Sequence, residues 1–449
     1  MASTSRNEEQ GSSSSAGPSP IEAVKTVTWG TNLKEDVFAR WGQGFIFSED
    51  EPAALLQNEG GPCAIIAPLQ GYILKNLLFQ EPQVEHWQQI DAERRRELLL
   101  EAMTEVLSNV STSNEFTLIL QADKQQSVMT ENPVIENIAQ GGQEPPTDHN
   151  AFHSSLRLQS YNSVEEVHSA LQASYHMFTN DGGVLLFLYS VLLTKGLDSI
   201  KVEVEDSSEP LIDGIYGHGS QSLINLMLTG RAVSHVFDDE KEVAGLRMKG
   251  VTEQGNIGFL TLLENLRYCE VGSYMKNPRC PIWVLGSETH LTVFFTQELS
   301  LVAPESKWET ARRIFSSYDT EGSGFIQAVL LGDVLATLEL FSLPEYVDIM
   351  RKKLDPDEFG IILLNAFMAE FFADEPDRLI PEHFTVYHYN GLKRSCPQNK
   401  VSFITGRASV PNPGELECLS EATPLKSCLR TKWPTFEVEW TNSVNPSII

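Results

Sequence analysis

The chain has 449 residues, enough for two to four domain-sized units with buried cores. Its 61 acidic residues outnumber 33 basic ones, and the formal charge of −28 argues against a nucleic-acid backbone or an anionic membrane as a partner. The six cysteines are widely spaced, without a CxxC pair, which indicates free thiols in a reducing compartment. The Ser-rich N-terminus contains no apolar segment typical of a secretory signal, so we expect the protein in the nucleus or the cytoplasm.

The first predicted helix follows a glycine-rich turn. Residues 1–24 are polar and are predicted to form a disordered tail. Gly60-Gly61-Pro62 precedes Cys63, and the apolar residues that follow at helical spacing predict a helix that begins near Cys63. The stretch at about 121–149 is rich in Gln, Asn, Glu and Gly, and this composition predicts a disordered surface insertion.

The middle of the chain is predicted to be helical and then to change to strands. Residues 152–267, with 258–267 among them, show mainly helical patterns. The apolar run 184–193 is too short to span a membrane and predicts a buried core helix. The runs 281–285 and 290–295 are rich in β-branched and aromatic residues, so they predict two adjacent strands, the second of which opens with a histidine.

A different unit is predicted next. Two helix–loop–helix patterns, centred on loops that begin at Asp319 and Asp355, resemble paired EF-hands and predict an inserted, all-helical EF-hand-like unit. Strand alternation returns at 384–391 and 433–440, and we expect these strands to complete the sheet that begins before the insertion. The predicted domains are a tail at 1–24, a first part of the main domain at 25–302, the insertion at 303–381, and the remainder of the main domain at 382–449.

Both EF-hand-like loops lack the glutamate that closes a calcium site. A calcium loop closes with a bidentate glutamate at its twelfth position. That position holds Leu330 in the loop from Asp319 and Ala366 in the loop from Asp355. We therefore expect a structural pair that does not depend on calcium, and we predict no metal or other cofactor.

Cys63 is the candidate catalytic residue. A cysteine attacks a carbonyl as the thiolate, and a helix N-terminus and a nearby histidine lower the thiol pKa. An isolated cysteine is more often a small buried hydrophobic residue, and a lone glutamine is more often a surface amide. However, Gln57 lies six positions upstream, where a turn can bring its amide beside the sulfur as an oxyanion donor.

The ten histidines offer several candidates for the base. His290 opens a strand from a short polar loop, and papain-like hydrolases carry their base on a strand far downstream of the cysteine. His218 is the rival, because a histidine between glycines in a loop can face a ligand. The group that orients the imidazole is not identified from the residues.

Two segments, QNEGGPC at 57–63 and SETHLTVFF at 287–295, resemble the two signatures of the MINDY family of deubiquitinases. Further segments extend the resemblance, in particular to the EF-hand-containing members, over about residues 27–440. These segments are GVLLFLYSVLLTKG, EPLIDGIYGHGSQSLINLMLTGRAVSHVFD, LRYCEVGSY, HFTVYHYNGLK and LRTKWPTFEVEW.

The resemblance implies an α+β, papain-like cysteine protease fold that hydrolyses the isopeptide bonds of lysine-48-linked polyubiquitin. By motif position it implies Cys63 as the nucleophile, His290 as the general base and Gln57 as the oxyanion-hole amide. The expected partners are lysine-48-linked polyubiquitin chains and ubiquitinated proteins, with no nucleic acid and no membrane.

Three other functions stay open. The first is a catalytically silent ubiquitin-binding scaffold, which the joint presence of Cys63, His290 and Gln57 disfavours. The second is a calcium-regulated adaptor, which the missing glutamates disfavour. The third is a papain-like acyl-transfer enzyme that acts on a different protein modifier, and only an assay can exclude it.

Overall fold

We describe a computed structural model of the chain. The predicted tail residues 1–17 and the predicted insertion residues 123–147 lie outside the described residues. The structure describes residues 18–80, 86–122, 148–243, 245–303, 306–319, 323–373, 380–411, 420–441 and 445–448.

Helices make up most of the regular structure. The α-helices are α1 (Pro20–Trp29), α2 (Glu35–Trp41), α3 (Cys63–Leu78), α4 (Ala92–Val110), α5 (His149–Ser155), α6 (Val164–Ala173), α7 (Tyr175–Thr179), α8 (Gly183–Lys195), α9 (Leu197–Glu203), α10 (Gln221–Thr229), α11 (Leu262–Asn265), α12 (Ser273–Lys276), α13 (Lys307–Tyr318), α14 (Leu331–Thr337), α15 (Pro344–Leu354), α16 (Leu364–Phe371) and α17 (Pro424–Leu429). Short 3-10 helices lie at Leu299–Val302, Ala328–Leu330, Lys393–Ser395 and Pro397–Asn399.

The strands form one large sheet and several two-stranded ladders. The strands are β1 (Ile46–Phe47), β2 (Leu55–Leu56), β3 (Phe116–Gln121), β4 (Leu156–Tyr161), β5 (Glu240–Val243), β6 (Leu246–Lys249), β7 (Gly258–Thr261), β8 (Ile282–Gly286), β9 (Leu291–Thr296), β10 (Phe325–Gln327), β11 (Ile361–Leu363), β12 (Phe384–Tyr389), β13 (Ile404–Ser409) and β14 (Glu437–Trp440). The large sheet has six strands in the order β14-β13-β12-β9-β8-β7, so strands from both ends of the predicted main domain pair in one sheet. The expectation that the late strands complete the sheet is confirmed.

The chain divides into two compact units, each with its own hydrophobic core. The first contains residues 1–297, 385–408 and 412–449, and the second contains residues 298–384 and 409–411. The architecture is a mixture of helices and strands.

In the first unit the register of the sheet sets where two loops meet. Strands β8 and β9 are antiparallel, with Gly286 opposite Leu291 at the turn between them. Strands β9 and β12 are also antiparallel, with Tyr389 opposite Val293. In such a pair the beginning of one strand lies beside the end of the other. The residues just before β9 therefore lie close to those just after β12.

Helix α3 packs against this part of the sheet. It contacts β8 and β9, and nearly all of its residues are buried. It begins at Cys63, which confirms the predicted start. Helix α8 is also buried along most of its length, as the apolar run at 184–193 predicts.

Two sequence predictions in this unit are wrong in detail. Helix α1 begins at Pro20, inside the predicted tail, because Ser19 caps it by accepting a hydrogen bond from the backbone N–H of Glu22, and a proline suits the first helical position. The segment 258–267, predicted as helical, begins with β7, which pairs in parallel with β8. All four residues of β7 are buried, so the segment shows no alternation between apolar and polar residues to mark it as a strand.

The second unit, described by itself, consists of α13 to α16 around a core that includes Phe315, Leu331 and Phe367. The prediction that it is all-helical is wrong, because β10 and β11 form a short antiparallel ladder in which Ile326 pairs with Ile362. Both of these isoleucines are buried, so the ladder fixes the two loops to the core of the unit.

Within the described residues no single helix is both long and apolar enough to cross a membrane, although α8 and α9, which meet at a bend of 79°, reach that length and composition together.

Candidate active site

The turn before α3 places Cys63 at the first position of the helix. Pro62 precedes the helix, and Gly61 has a φ of +130°, which side chains other than glycine rarely adopt. A Cβ at Gly61 would also lie only 2.8 Å from the indole Nε1 of Trp41. The sequence therefore needs glycine at this position, and the resulting turn delivers the cysteine to the helix N-terminus.

The Cys63 thiol is almost enclosed, with 5% of the residue exposed. Burial raises the pKa of the thiol to about 11, although the backbone N–H groups of Leu291, Ala64 and Cys63 itself act in the opposite direction. The Sγ atom lies 3.7 Å from the carbonyl oxygen of Gly61, to which it donates. At neutral pH the cysteine is therefore a protonated thiol in this state.

His290 lies immediately before β9 and is held by a tight turn. Its backbone N–H donates to the hydroxyl of Ser287 at 3.1 Å, and its carbonyl oxygen accepts from the backbone N–H of Ser287 at 3.0 Å. Burial lowers the pKa of His290 to about 4, against the opposing effect of a hydrogen bond to Asn390. The positive charges of Arg394 and His218 lower that pKa further. The imidazole is therefore neutral at neutral pH.

Asn390 fixes the orientation of the imidazole. The Nε2 atom of His290 is 2.9 Å from Oδ1 of Asn390, and this oxygen also accepts from the backbone N–H of Leu392 at 3.0 Å. The amide nitrogen of Asn390 donates to the carbonyl oxygen of Ser447 at 3.0 Å. Because an amide oxygen only accepts, the proton of the neutral ring lies on Nε2 and the lone pair lies on Nδ1.

Cys63 and His290 come together because α3 packs on β9. The backbone N–H of Leu291, the residue after His290, lies close enough to the sulfur of Cys63 to lower the pKa of the thiol. Since Asn390 occupies Nε2, the remaining ring nitrogen for the thiol is Nδ1. The arrangement has the chemical parts of a nucleophile, a base and a group that orients the base.

Gln57 is almost completely buried, with 1% of the residue exposed, and is joined to the loop after Asn390. Its backbone N–H donates to the carbonyl of Gly391 at 2.8 Å, and its own carbonyl accepts from Lys393 at 3.1 Å. The side-chain nitrogen donates to the carbonyl of Glu59 at 2.9 Å. The amide thus lies in the turn that leads to Cys63, with one of its two N–H bonds used by that turn.

His218, the rival base, lies in a loop that packs against the same turn. A Cβ at Gly219 would lie 2.5 Å from Cβ of Ala64, which shows how closely the loop approaches α3. The ring of His218 stacks on Tyr216, with 6.1 Å between the centroids, and burial lowers its pKa. Its buried Nδ1 has no hydrogen-bond partner among the described residues, whereas Nε2 of His290 is hydrogen-bonded to Asn390.

The sequence did not identify Asn390. It is the residue after β12, and an asparagine at the end of a strand is common in turns. The pairing of β12 with β9 is the signal that could have found it, because this pairing places the end of β12 beside His290.

Within the described residues there is no group of three or more His, Cys, Asp or Glu side chains that could hold a metal ion. The cysteines that the structure describes are free thiols, as predicted. They are Cys63, Cys269, Cys280, Cys396 and Cys428.

Comparisons with known proteins identify the family. Residues 25–322 match the family model "Deubiquitinating enzyme MINDY-3/4, conserved domain". The chain is 47% identical to the Bos taurus ubiquitin carboxyl-terminal hydrolase MINDY-3 over 442 residues, which cover 94% of this chain and 98% of the bovine protein. It is 42% identical to the Drosophila melanogaster MINDY-3 homolog, covering 95% of this chain and 83% of the fly protein. It is 31% identical to the probable MINDY-4 hydrolase of Bos taurus, covering 67% of this chain and 38% of that protein.

No solved structure matches the chain significantly. The family model covers more than half of the chain, and the similarity to the MINDY-3 proteins extends over nearly all of it. The chain is therefore a deubiquitinating enzyme of the MINDY-3/4 family.

Proposed function

We propose that this deubiquitinase hydrolyses isopeptide bonds of lysine-48-linked polyubiquitin, with Cys63 as the nucleophile, His290 as the general base and Asn390 as the group that orients the base. The observation that carries the proposal is the 2.9 Å hydrogen bond from His290 Nε2 to Asn390, which leaves Nδ1 for the thiol at the start of α3. Ubiquitin as the substrate follows from the family, and the linkage follows from the resemblance to MINDY deubiquitinases.

In the proposed reaction, His290 Nδ1 takes the proton of the Cys63 thiol as the sulfur attacks the carbonyl carbon of the C-terminal glycine of ubiquitin. The lysine amine of the next ubiquitin then leaves with that proton, and a thioester remains on the enzyme. His290 next removes a proton from water, the water oxygen attacks the thioester, and the released thiolate is protonated again. Burial favours the neutral form of each group in the free enzyme.

Gln57 is proposed as a donor to the oxyanion of the tetrahedral intermediate, together with backbone N–H groups at the start of α3. Its side-chain nitrogen carries two N–H bonds, one of which is used by the carbonyl of Glu59. The second N–H is the one that we assign to the oxyanion. The turn formed by residues 57–63 thus supplies both the nucleophile and the donor.

The Cys–His–Asn set supports a papain-like assignment for the first unit, since papain-like proteases use these three residue types. The paired strands β10 and β11 support an EF-hand-like assignment for the second unit. In each loop the first aspartate accepts hydrogen bonds from the backbone of the loop itself. We propose that this unit has a structural role without calcium.

The test of the catalytic proposal is cleavage of lysine-48-linked tetraubiquitin. The wild-type chain should cleave it and Cys63→Ala should not, with Cys269→Ala as a control, because Cys269 is a half-buried thiol outside the site. Equal cleavage by Cys63→Ala would remove the nucleophile assignment. Binding of ubiquitin chains without any cleavage by the wild type would instead support the scaffold function.

The test of the linkage uses the same wild-type enzyme on tetraubiquitins of each linkage. We expect lysine-48-linked chains to be cleaved at least about tenfold faster than the others, a difference of about 1.4 kcal/mol in the activation free energy. Equal rates on all linkages would remove the linkage assignment and leave the catalytic residues untouched.

A further inference from the structure

Residues 445–448 lie against the proposed active site, far from it in sequence. Their exposure alternates: Asn445 and Ser447 are exposed, whereas Pro446 and Ile448 are buried. Only 2% of Ile448 is accessible. The carbonyl oxygen of Ser447 accepts the hydrogen bond from the side-chain nitrogen of Asn390 at 3.0 Å. Two buried side chains therefore anchor a backbone carbonyl beside the group that orients His290.

This contact bears on which way the Asn390 amide points. The oxygen and nitrogen ends of an amide have nearly the same shape, so their hydrogen-bond partners decide its orientation. In the observed orientation, Oδ1 accepts from His290 and from the backbone N–H of Leu392, and the nitrogen donates to Ser447. In the reversed orientation, the amide nitrogen would face two N–H groups and the amide oxygen would face a carbonyl oxygen.

The correct orientation matters for the proton on His290. An amide oxygen at Nε2 requires the proton on that nitrogen, which leaves the lone pair of Nδ1 for the thiol. A reversed amide would favour the other tautomer, in which Nδ1 carries the proton and cannot act as the base. Among the described residues Ser447 is the one acceptor that the Asn390 amide contacts, so together with the N–H of Leu392 it selects where the nitrogen points.

We propose that residues 445–448 form a positioning strap, which holds the Asn390 amide so that His290 keeps its lone pair on Nδ1. The inference rests on the proposed catalytic roles of His290 and Asn390. In this role the strap does not touch the substrate, so its loss should lower kcat and leave KM nearly unchanged.

The first experiment compares the full chain with a chain that ends at Thr441, on a fluorogenic ubiquitin substrate. We expect kcat to fall about tenfold, since the strap contributes about one hydrogen bond to the site, with KM within about twofold. A point variant, Ile448→Asp, should lower kcat to a similar extent because it places a charge at the buried anchor. The conservative variant Ile448→Val should keep a kcat close to that of the wild type. The exposed Asn445→Ala is the matched control within the segment.

The second experiment separates positioning from a general structural effect. Asn390→Ala removes the amide that the strap holds, so adding Ile448→Asp to it should cost no more than about twofold beyond Asn390→Ala alone. An additive loss would overturn the proposal, because mutations that act through one contact are not additive. Circular dichroism of each variant reports folding. If the shortened chain does not fold, the comparison of Ile448→Asp in the wild-type and Asn390→Ala backgrounds tests the proposal.

Two results would contradict the strap directly. An unchanged kcat in both strap variants would show that Leu392 and His290 alone orient the amide. A rise in kcat or a fall in KM would show that the segment blocks the site instead of supporting it. If the wild-type chain cleaves no ubiquitin substrate at all, the proposed function fails first, and this result is distinct from either of the others.

Discussion

Two sets of polar side chains in this molecule fix loops in different ways. In the second unit, Asp319 and Asp355 each accept hydrogen bonds from backbone N–H groups four and five residues later, within their own loops. In the first unit, Asn390 joins His290, 100 residues earlier, to Ser447, 57 residues later. The aspartate contacts stabilise local turns, and the asparagine contacts bring separate parts of the chain to one point.

The contrast between local and long-range contacts indicates at which residues the rate of hydrolysis depends on the identity of the side chain. A loop that satisfies its own carboxylate keeps its shape without a ligand, and losing the carboxylate costs local stability. A group that connects distant segments and a titratable ring sets the chemistry of that ring. We therefore expect substitutions at the Asn390 contacts to change the rate of hydrolysis and substitutions at the aspartates to change only stability.

The largest effect on activity is expected at the proposed base, His290. His290→Ala should lower kcat about 10²–10⁴-fold, the usual contribution of a general base, whereas His218→Ala should stay within about threefold of wild type. Both rings are partly or fully buried beside the same turn, so the pair is a matched comparison. Steady-state cleavage of a fluorogenic ubiquitin substrate measures kcat for both variants. The reverse pattern would make His218 the base.

A smaller effect is expected at the orienting group. Asn390→Ala should lower kcat about 10–100-fold with KM nearly constant, because the ring of His290 loses the oxygen that fixes its tautomer. Asn390→Asp should retain more activity and shift the acid limb of the kcat–pH profile upward, because a negative charge beside the ring raises the pKa of His290. A profile that does not move would contradict contact between these two residues.

A third effect concerns stability and pH. His388 is fully buried on β12, with Nε2 3.1 Å from the hydroxyl of Thr292, and burial lowers its pKa from 6.5 to about 3. The unfolded chain therefore binds a proton near pH 6.5 that the folded chain does not bind until about pH 3. Stability from this residue is complete above pH 6.5 and is lost, at up to about 1.4 kcal/mol per pH unit, as the pH falls.

The variant His388→Met should lose this dependence. Urea unfolding at pH 7 and pH 5 should show that the free energy of unfolding falls less for His388→Met than for the wild type, by about 2 kcal/mol. His290 titrates in part of the same range, but it is present in both proteins, so the difference reports His388. Equal pH dependence in the two proteins would contradict a neutral, buried His388.

The smallest effect on activity is expected in the second unit. Asp355→Ala should lower the free energy of local opening by about 1–3 kcal/mol, because the backbone N–H groups of Phe359 and Gly360 lose their acceptor. Hydrogen exchange of peptides from residues 355–368 measures this opening. The exposed Asp357→Ala is the control, and kcat should not change in either variant.

Calcium provides a further comparison on the same unit. If the loops have only a structural role, the hydrogen-exchange rates of these peptides should be equal in calcium and in a calcium chelator. A slower exchange in calcium would contradict the role proposed for this unit and would revive the calcium-regulated adaptor.

The sequence predicts those parts of the molecule that local patterns determine. The glycine turn, the start of α3 and the strand pair at 282–296 follow from residue types within short windows. The short strands β10 and β11 were not predicted, because three residues carry too little alternation to distinguish a strand from a loop.

The candidate site shows the same limit. Cys63, His290 and Gln57 stand in motifs, so the sequence points to them, and their catalytic roles stay predictions until they are measured. Asn390 and Ser447 act through contacts between segments that the chain brings together only when the sheet forms. A single asparagine or a backbone carbonyl has no sequence pattern of its own, so only the arrangement in space identifies it.

The spread of the site along the chain has a consequence for biosynthesis. The proposed nucleophile, Cys63, is synthesised early, whereas Asn390 is added 327 residues later. At roughly 5–20 residues per second, this interval lasts roughly 15–65 s. His290 is added 100 residues before Asn390, and until β12 has been synthesised β9 has no β12 to pair with and His290 has no partner for its Nε2. A nascent or prematurely terminated chain that lacks β12 therefore carries Cys63 without the proposed orienting group, and the proposed mechanism predicts full activity only when synthesis is nearly complete.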